Sequence, residues 1–241
     1  MKANLKGLHI RDQDLDFLRY LHAVKVATYE QIHRDVYSDI CFDAVGNRLR
    51  KMENNRLISI EYNRPLLGSK RLVFITRSGF QLFEDKLNAL QMELRSDAVN
   101  HDLALVDIRH RFVTLSRCKN YLTENQIQTW YPELRELNSD AMMDFKIKDD
   151  YLRLPVEYES SIKRCDRYQS FVTKYYEKDD LPVLLLIATT KSIVTAIQKI
   201  ETERFNWKRP KIFYCLMSHF LDSDSSVFSN CHGLPFKLGD R

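Results

Sequence analysis

Apolar positions in the first sixty residues recur at helical spacing and predict three helices. The first covers 12–24, where leucines stand at every third position. The second begins after Thr28, because T-Y-E-Q places a capping hydroxyl three residues before Gln31, and it ends near residue 37. The third covers about 39–55, and its apolar face consists of three residues: Val45, Leu49 and Met52.

An alternating pattern follows the third helix and predicts a β-hairpin. R-L-I-S-I-E-Y and R-L-V-F-I-T form its strands, and the turn-rich segment N-R-P-L-L-G-S-K joins them. Three helices and a hairpin in this order are typical of a winged helix-turn-helix. A connecting helix from Ser78 or Gly79 to about Arg95 completes a domain predicted over 1–95.

The second half of the chain, 96–241, mixes helices with strands. A helix from His101 to about Arg117 precedes three predicted strands, I-Q-T-W-Y, D-A-M-M-D-F-K-I and Y-L-R-L-P-V-E-Y-E. A helix over 160–178, the strand V-L-L-L-I-A, a helix over 192–205 and the strand K-I-F-Y-C-L-M follow. This order predicts an α/β (α+β) domain with a mixed central sheet.

The net charge of +4 lies entirely in the first domain. Residues 1–95 hold 16 Lys and Arg against 12 Asp and Glu, whereas 96–241 hold 21 of each. Excess positive charge on a winged helix favours duplex DNA, although a solvated basic face or a protein-binding use of the fold stays open. The candidate DNA contacts on the third helix and the wing are Asn47, Arg48, Arg50, Lys51, Arg64, Lys70 and Arg71.

The cysteine content and the hydropathy of the chain predict a cytoplasmic protein with no membrane insertion. No apolar run reaches the length of about 18 residues that a membrane span needs. The five cysteines form an odd set without a C-x-x-C pair, which is typical of reduced thiols that serve in packing.

Carboxylates concentrate on the second and third predicted strands of the second domain. If Lys148 and Asp149 form a two-residue turn, Asp140 lies opposite Glu157. Glu159 then shares their face of the sheet. Opposed like charges destabilise a sheet, so the cluster indicates a site for a divalent cation, Mg²⁺ or Mn²⁺. A solvated acidic face is the alternative, and Asp144, nearer the turn on the same face, is a further candidate ligand: the strand thus offers two aspartates.

The order S-D-A, then E-Y-E seventeen residues after the aspartate, then Lys163 resembles the signature of the PD-(D/E)xK nucleases. Ser139 replaces the usual proline, and Glu159 stands where that family usually has lysine, as in its ExE variants. The resemblance implies that Asp140 and Glu157 are metal ligands. It leaves open whether Lys163, expected in the first turn of the following helix, takes the lysine's role, or whether Glu159 acts as ligand or base.

A narrower resemblance covers nearly the whole chain. A winged helix fused to such a domain, with N-H-D-L-A-L opening the second half, is similar to the MobC-type (MOBC family) plasmid mobilisation relaxases and, more distantly, to the replication-relaxation proteins. The resemblance implies that the protein binds a transfer origin and nicks one strand there, with an accessory mobilisation or coupling protein as partner. His101 would then complete the site from the first helix of the nuclease domain, whereas a capping or core role is the alternative.

Two other activities are weighed against nicking by a metal-dependent nuclease. The first is a non-catalytic transcriptional or replication regulator with a degenerate nuclease fold. The second is a relaxase of the two-histidine type, which needs two histidines flanking one apolar residue, and the sequence has no such spacing. With 12 tyrosines in the chain, a tyrosine nucleophile stays open.

Overall fold

The computed structural model describes residues 5, 7–63, 70–84, 96, 98–222 and 227–238. These residues form a mixed α/β structure that divides into two compact units. The first unit contains Met1–Asp107 and Gln128–Pro132, and the second contains Ile108–Ile127 and Glu133–Arg241. The division follows Asp107, inside a helix, whereas the sequence pattern placed it near residue 95.

The first unit begins with helices and continues with a small antiparallel sheet. Its elements are α1 (Asp12–Val24), β1 (Ala27–Thr28), α2 (Tyr29–Asp35), α3 (Phe42–Asn54), β2 (Ile58–Asn63), β3 (Lys70–Ile75), α4 (Arg77–Phe80) and the start of α5 (Val99–Thr114). The described strands pair in the order β1-β3-β2. Phe17, Leu18 and Leu21 of α1 are fully buried in the core of this unit.

The predicted starts of α1 and α2 and the predicted apolar face of α3 are confirmed, whereas α3 starts at Phe42, three residues later than predicted. α1 has the predicted bounds, and Thr28 and Gln31 cap α2 reciprocally: the Gln31 N–H donates to Thr28 Oγ1 at 3.3 Å and the Thr28 N–H donates to Gln31 Oε1 at 3.0 Å. The predicted face of α3 is buried in the core, where it holds Val45, Leu49 and Met52. Periodicity and capping chemistry therefore determine this part of the fold.

The predicted connecting helix is wrong in its described part, because α4 ends at Phe80 and a turn follows. Thr76 caps this short helix by accepting a hydrogen bond from the Gly79 N–H at 3.1 Å. Gly79 lies against the chain, since a Cβ atom there would stand 2.1 Å from the carbonyl oxygen of Leu57. The remainder of that prediction, 85–95, lies outside the described residues.

The second unit is built on a mixed sheet. The elements after α5 are β4 (Cys118–Thr123), α6 (Glu124–Trp130), a 3₁₀ helix (Pro132–Leu137), β5 (Ala141–Ile147), β6 (Asp150–Glu159), α7 (Cys165–Tyr176), β7 (Leu184–Ala188), α8 (Lys191–Phe205), β8 (Ile212–Leu216), α9 (Met217–Asp222), β9 (Val227–Ser229) and β10 (Pro235–Lys237). They belong to the second unit except for Gln128–Pro132, at the end of α6 and the start of the 3₁₀ helix. The described strands form one seven-stranded sheet in the order β10-β9-β8-β7-β6-β5-β4. β6, β7 and β8 run parallel and their outer neighbours antiparallel.

The strand predicted at I-Q-T-W-Y is wrong, because these residues belong largely to α6. The true strand is β4, directly before it. Thr123 and Gln126 form a reciprocal cap, with the Thr123 N–H donating to Gln126 Oε1 at 3.0 Å and the Gln126 N–H to Thr123 Oγ1 at 3.4 Å. This T-x-x-Q signal starts a helix and overrides the strand propensity of the residues that follow.

The helix after β6 begins five residues later than predicted. α7 starts at Cys165, and the segment from Ser160 to Arg164 is not helical. α7 and α8 supply residues to one core together with β7, including Tyr168, Ile197 and Leu186. This packing covers one face of the sheet.

Each of the five cysteines is a free thiol. Cys118 and Cys215 are buried, as the packing prediction requires, whereas Cys41 and Cys165 are exposed and that prediction is wrong for them. None of the helices in the described ranges has the length and apolar character needed to cross a bilayer.

Candidate functional site

The hairpin register brings Asp140 and Glu157 to opposite positions. β5 and β6 pair without a register shift as far as Ala141 and Val156, so the next residue on each strand is Asp140 and Glu157. Asp140 Oδ2 accepts a hydrogen bond of 2.7 Å from the N–H of Tyr158. The turn that sets this register pairs its flanking residues as the sequence predicted.

Both glutamates lie on the sheet face that α7 and α8 cover. In the parallel pairing of β6 with β7, Glu157 stands beside Leu186 and Glu159 beside Ala188. Leu186 and Ala188 belong to the core formed with α7 and α8. Because directly paired residues share a face, the two carboxylates enter the layer between sheet and helices.

Some surroundings of Glu157 favour its neutral form, and others favour its charged form. Burial raises the pKa of its carboxyl well above the ordinary value, and the charge of Asp140 raises it further. A short hydrogen bond from the Tyr175 hydroxyl to Oε1 and the charge of Lys174 act in the opposite direction. The pKa of Glu157 is raised on balance, so this position favours neutralisation of the carboxylate by a proton or a cation.

Glu159 is the more deeply buried glutamate, with 6% of its surface exposed. Its Oε1 accepts a hydrogen bond of 2.5 Å from Lys163 Nζ. Its Oε2 is buried and has no hydrogen-bond partner among the described residues. An anionic oxygen left in this state is costly, so an additional cation or donor at this point would stabilise the fold.

Lys163 reaches the cluster from the segment before α7, so its predicted place within the first turn of a helix is wrong. Its backbone N–H donates to the hydroxyl of Tyr168 at 3.1 Å, which fixes the segment against the helix. The two residues that the sequence offered as alternatives, Lys163 and Glu159, are partners of one ion pair.

Lys174 and Tyr175, near the end of α7, were not predicted as site residues. Tyr175 is buried in the core, and its hydroxyl donates to Glu157. Burial lowers the pKa of Lys174, while the charges of Glu157 and Asp140 raise it. The only available signal was a lysine beside a tyrosine on the helix that follows E-Y-E, which does not indicate a contact by itself.

Asp144, the further candidate ligand, already has partners. Arg153 Nε donates to its Oδ1 at 2.8 Å, and Asn120 Nδ2 donates to its Oδ2 at 3.2 Å. Burial alone would raise the pKa of Asp144, but these hydrogen bonds hold it below the ordinary value. Asp144 therefore stabilises the hairpin as a paired carboxylate.

Asp140 and Glu157, at opposed positions of the hairpin, are carboxylates, the ligand type that a hard divalent cation takes. In the described ranges, no group of three or more His, Cys, Asp or Glu side chains is arranged to hold a metal ion. Mg²⁺ is commonly bound through one or two carboxylates, with water and substrate phosphate completing its coordination. Asp140 and Glu157 are two carboxylates that could hold such an ion, whereas Glu159 does not form a group of three with them in the described ranges.

His101 lies on α5 in the first unit, whereas the carboxylates belong to the second. Its Nδ1 is 3.5 Å from Oδ1 of the neighbouring Asp102. Its predicted catalytic role stays a prediction.

The first unit presents a basic surface, defined here as the exposed residues of α3 and β3 among the candidate DNA contacts. On α3, Asn47, Arg50 and Lys51 are exposed on the side opposite the buried face. On β3, Lys70 and Arg71 are exposed at its first two positions. Arg64 lies outside the described residues.

Arg48 differs from the other candidate DNA contacts, because its guanidinium is paired inside the first unit. Its Nε donates to Asp14 Oδ1 at 2.9 Å, and a terminal nitrogen donates to Asp14 Oδ2 and to the carbonyl of His9. The Asp14 side chain is 2% exposed. The structure thus gives Arg48 internal contacts, and it is left out of the basic surface.

Tyr62, which was not predicted as a site residue, adds an aromatic side chain beside the basic surface. It pairs with Arg71 across β2 and β3 and is 62% exposed. The Arg71 guanidinium carbon lies 5.6 Å from the ring centroid of Tyr62 and 5.2 Å from that of Tyr29. Cation–π contacts of this kind orient an exposed arginine before any ligand arrives.

The basic surface of the first unit and the carboxylate cluster of the second unit are the two candidate functional sites in the described residues. No protein-family model matches the chain, and neither a curated protein nor a solved structure is significantly similar to it.

Proposed function

We propose that the protein is a metal-dependent DNA endonuclease that binds duplex DNA through its first unit and nicks one strand with its second. The observation that carries the proposal is the carboxylate cluster of Asp140, Glu157 and Glu159, in which the buried Oε2 of Glu159 has no hydrogen-bond partner among the described residues. The raised pKa of Glu157 and the unpartnered oxygen of Glu159 both favour a cation at this face of the sheet.

The first unit is proposed to be a winged helix-turn-helix. Helices α1 to α3 followed by the β2–β3 hairpin agree with that fold, with α3 as the helix that enters the major groove. The exposed Asn47, Arg50 and Lys51 would reach bases or phosphates, and Lys70 and Arg71 the flanking phosphates. Positive charge on both elements supports DNA as the ligand.

The second unit is proposed to be a nuclease core of the PD-(D/E)xK type. A helix, three successive antiparallel strands, and two parallel strands reached through helices agree with that arrangement, and the acids stand at the start of β5 and the end of β6. Mg²⁺ or Mn²⁺ bound there would lower the pKa of a bound water and neutralise charge on the phosphate. Asp140 and Glu157 would hold the ion, and Tyr175 would fix the orientation of Glu157.

The narrower activity that we propose is that of a plasmid mobilisation relaxase. It rests on the resemblance of the motif set to the MOBC family, and it implies nicking at a transfer origin in the cytoplasm with an accessory or coupling protein. His101 is retained in this proposal as a residue of the N-H-D-L motif.

A second candidate function is a DNA-binding regulator without catalysis. The ion pair between Lys163 and Glu159, and the charge of Lys174 acting on Glu157, favour this alternative because internal cations already compensate the acids in part. In a regulator these pairs would be structural, and divalent ions would be dispensable.

Supercoiled plasmid carrying the transfer region of the protein's own replicon separates the two functions. The nuclease converts it to the open-circular form with Mn²⁺ or Mg²⁺, and EDTA abolishes the reaction. Asp149→Asn, in the exposed hairpin turn, is the control that should nick as wild type does. A protein that binds the plasmid but leaves it supercoiled with every divalent ion is the regulator.

A further inference from the structure

Lys163 and Lys174 approach the carboxylate cluster from different segments and have different partners. Lys163, from the segment before α7, is bound to Glu159 at 2.5 Å. Lys174, from the last turn of α7, places its charge on Glu157 and Asp140, the pair proposed to hold the metal ion. Lys163 therefore compensates Glu159, and Lys174 compensates the pair of Asp140 and Glu157.

Lys163 is poorly suited to contact a substrate. Its ammonium is committed to Oε1 of Glu159, and the backbone of the same residue is hydrogen-bonded to Tyr168. Moving this lysine to a phosphate would leave the buried Glu159 carboxylate, whose other oxygen already has no described partner, without its cation. Its geometry indicates a structural ion pair.

Lys174 lies beside the tyrosine that is hydrogen-bonded to Glu157. Its Nζ lies 5.2 Å from the centroid of the Tyr175 ring, and the hydroxyl of that ring donates to Glu157 Oε1. One turn of α7 thus orients the carboxylate through Tyr175 and places a positive charge beside it through Lys174. The side chain is partly exposed, so an incoming phosphate can reach it.

We propose that Lys174 is the phosphate-contacting lysine of this site, the role that the sequence motif offered to Lys163. The inference rests on the proposed nuclease function and adds a catalytic residue to it. In the free protein Lys174 compensates the charge of Asp140 and Glu157, and with DNA bound it contacts a non-bridging oxygen of the scissile phosphate.

The chemical step is hydrolysis of a phosphodiester. A P–O bond forms to the oxygen of water, the P–O bond to the leaving sugar oxygen breaks, and the two protons of water end on that sugar oxygen and in solvent. Lys174 neither gains nor loses a proton in the step. Its ammonium stabilises the added negative charge on the phosphate oxygens, as a fixed charge in a water-poor site does.

The test compares Lys174→Met, Lys174→Arg and Lys163→Met in the full-length protein, with melting curves to establish that each variant folds. The first readout is Mn²⁺ binding to the protein without DNA, by calorimetric titration. Lys174→Met should bind Mn²⁺ about 10-fold more tightly, because a positive charge that opposes the ion is gone. Lys174→Arg keeps the charge and should bind as wild type does.

The second readout is nicking of supercoiled plasmid. Lys174→Met should lose about 100-fold or more in rate, the scale of one preorganised charge stabiliser, and Lys163→Met should lose less than Lys174→Met. If wild type nicks and Lys174→Met nicks equally well, or if its Mn²⁺ affinity is unchanged, the role of Lys174 is overturned. If wild type itself does not nick, the proposed function fails, whereas the Mn²⁺ titration still decides whether Lys174 faces the acidic pair.

Discussion

The hydroxyl of Tyr175 donates a hydrogen bond to Oε1 of Glu157. This contact joins α7 to the end of β6 and fixes one oxygen of a carboxylate whose pKa is raised by burial and by Asp140. A buried tyrosine that holds a proposed metal ligand is a positioning residue. Such residues commonly have measurable effects on metal sites without touching the metal.

Tyr175→Phe should slow nicking by about 10- to 100-fold while DNA binding stays unchanged, because Glu157 loses the donor that orients it. Tyr176→Phe is the matched control, since the Tyr176 hydroxyl donates to Glu201 at 2.5 Å instead. That variant should lose about 1 kcal/mol of stability and keep its nicking rate. Equal rates for the two variants, measured on the same plasmid preparation, would remove Tyr175 from the site.

Substitutions at Arg48 and Arg50 should have different effects, the first on stability and the second on DNA binding. Arg48→Ala leaves the buried Asp14 carboxylate without its cation and should cost about 3 kcal/mol in the free energy of unfolding, measured with urea. Arg50→Ala removes an exposed side chain and should change stability by less than about 0.5 kcal/mol. It should instead weaken duplex binding. The slope of log affinity against log salt concentration should become shallower by the contribution of about one phosphate contact. An Arg48→Ala protein as stable as wild type would contradict this division.

Gly79 is predicted to tolerate no side chain. In Gly79→Ala the new Cβ would stand 2.1 Å from the Leu57 carbonyl oxygen, so the backbone must move, at a cost of about 1–3 kcal/mol. Gly46→Ala, within α3, is the control, because the nearest atom to its Cβ is 4.0 Å away. That variant should be unchanged or more stable by up to about 1 kcal/mol. Thermal melting of both variants checks the contrast, which fails if Gly79→Ala melts at the wild-type temperature.

His22 should make the stability of the first unit depend on pH. It is fully buried, its ring centroid lies 4.9 Å from that of Phe80 and 5.0 Å from that of Trp130, and burial lowers its pKa from 6.5 to about 4. Between these values the unfolded chain binds a proton that the folded protein does not, so stability is complete above about pH 6.5 and falls as the pH decreases toward 4. The loss should reach about 2 kcal/mol at pH 5.

Urea unfolding from pH 7.5 to pH 4.5 measures this dependence, and His22→Phe should flatten it. Phenylalanine is chosen because it fills the same aromatic surroundings without a titrating group. A pH profile that is identical in the variant and in wild type would assign the loss to other groups.

Local rules of the sequence were sufficient for the hairpin that carries the acids. A side-chain period of two and a turn centred on Lys148, whose φ is 55°, place Asp140 opposite Glu157 once the turn length is known. The same kind of rule predicted α2 from Thr28 and Gln31. It also accounts for α6, because the T-x-x-Q cap of Thr123 and Gln126 outweighs the strand propensity of the residues that follow.

Contacts between distant segments could not be read from the sequence. Arg48 lies at an outward position by helical period, and only the fold brings Asp14, 34 residues away, against it. The partnership of Tyr175 with Glu157 depends on how α7 crosses the sheet after a non-helical segment. Lys174 and Tyr175 were therefore not predicted, whereas Asp140, Glu157 and Glu159 could be proposed from the order of the motif.

We propose that Asp140 and Glu157 hold the metal ion with which the second unit nicks DNA bound by the first unit. The most direct measurement uses one plasmid preparation and follows both binding, by mobility shift, and nicking, by loss of supercoiling, for Asp140→Asn and Glu157→Gln with Mn²⁺. Loss of a ligand removes the activated water but not the basic surface, so both variants should bind as wild type does and leave the plasmid supercoiled. Nicking by both variants at the wild-type rate would contradict the claim.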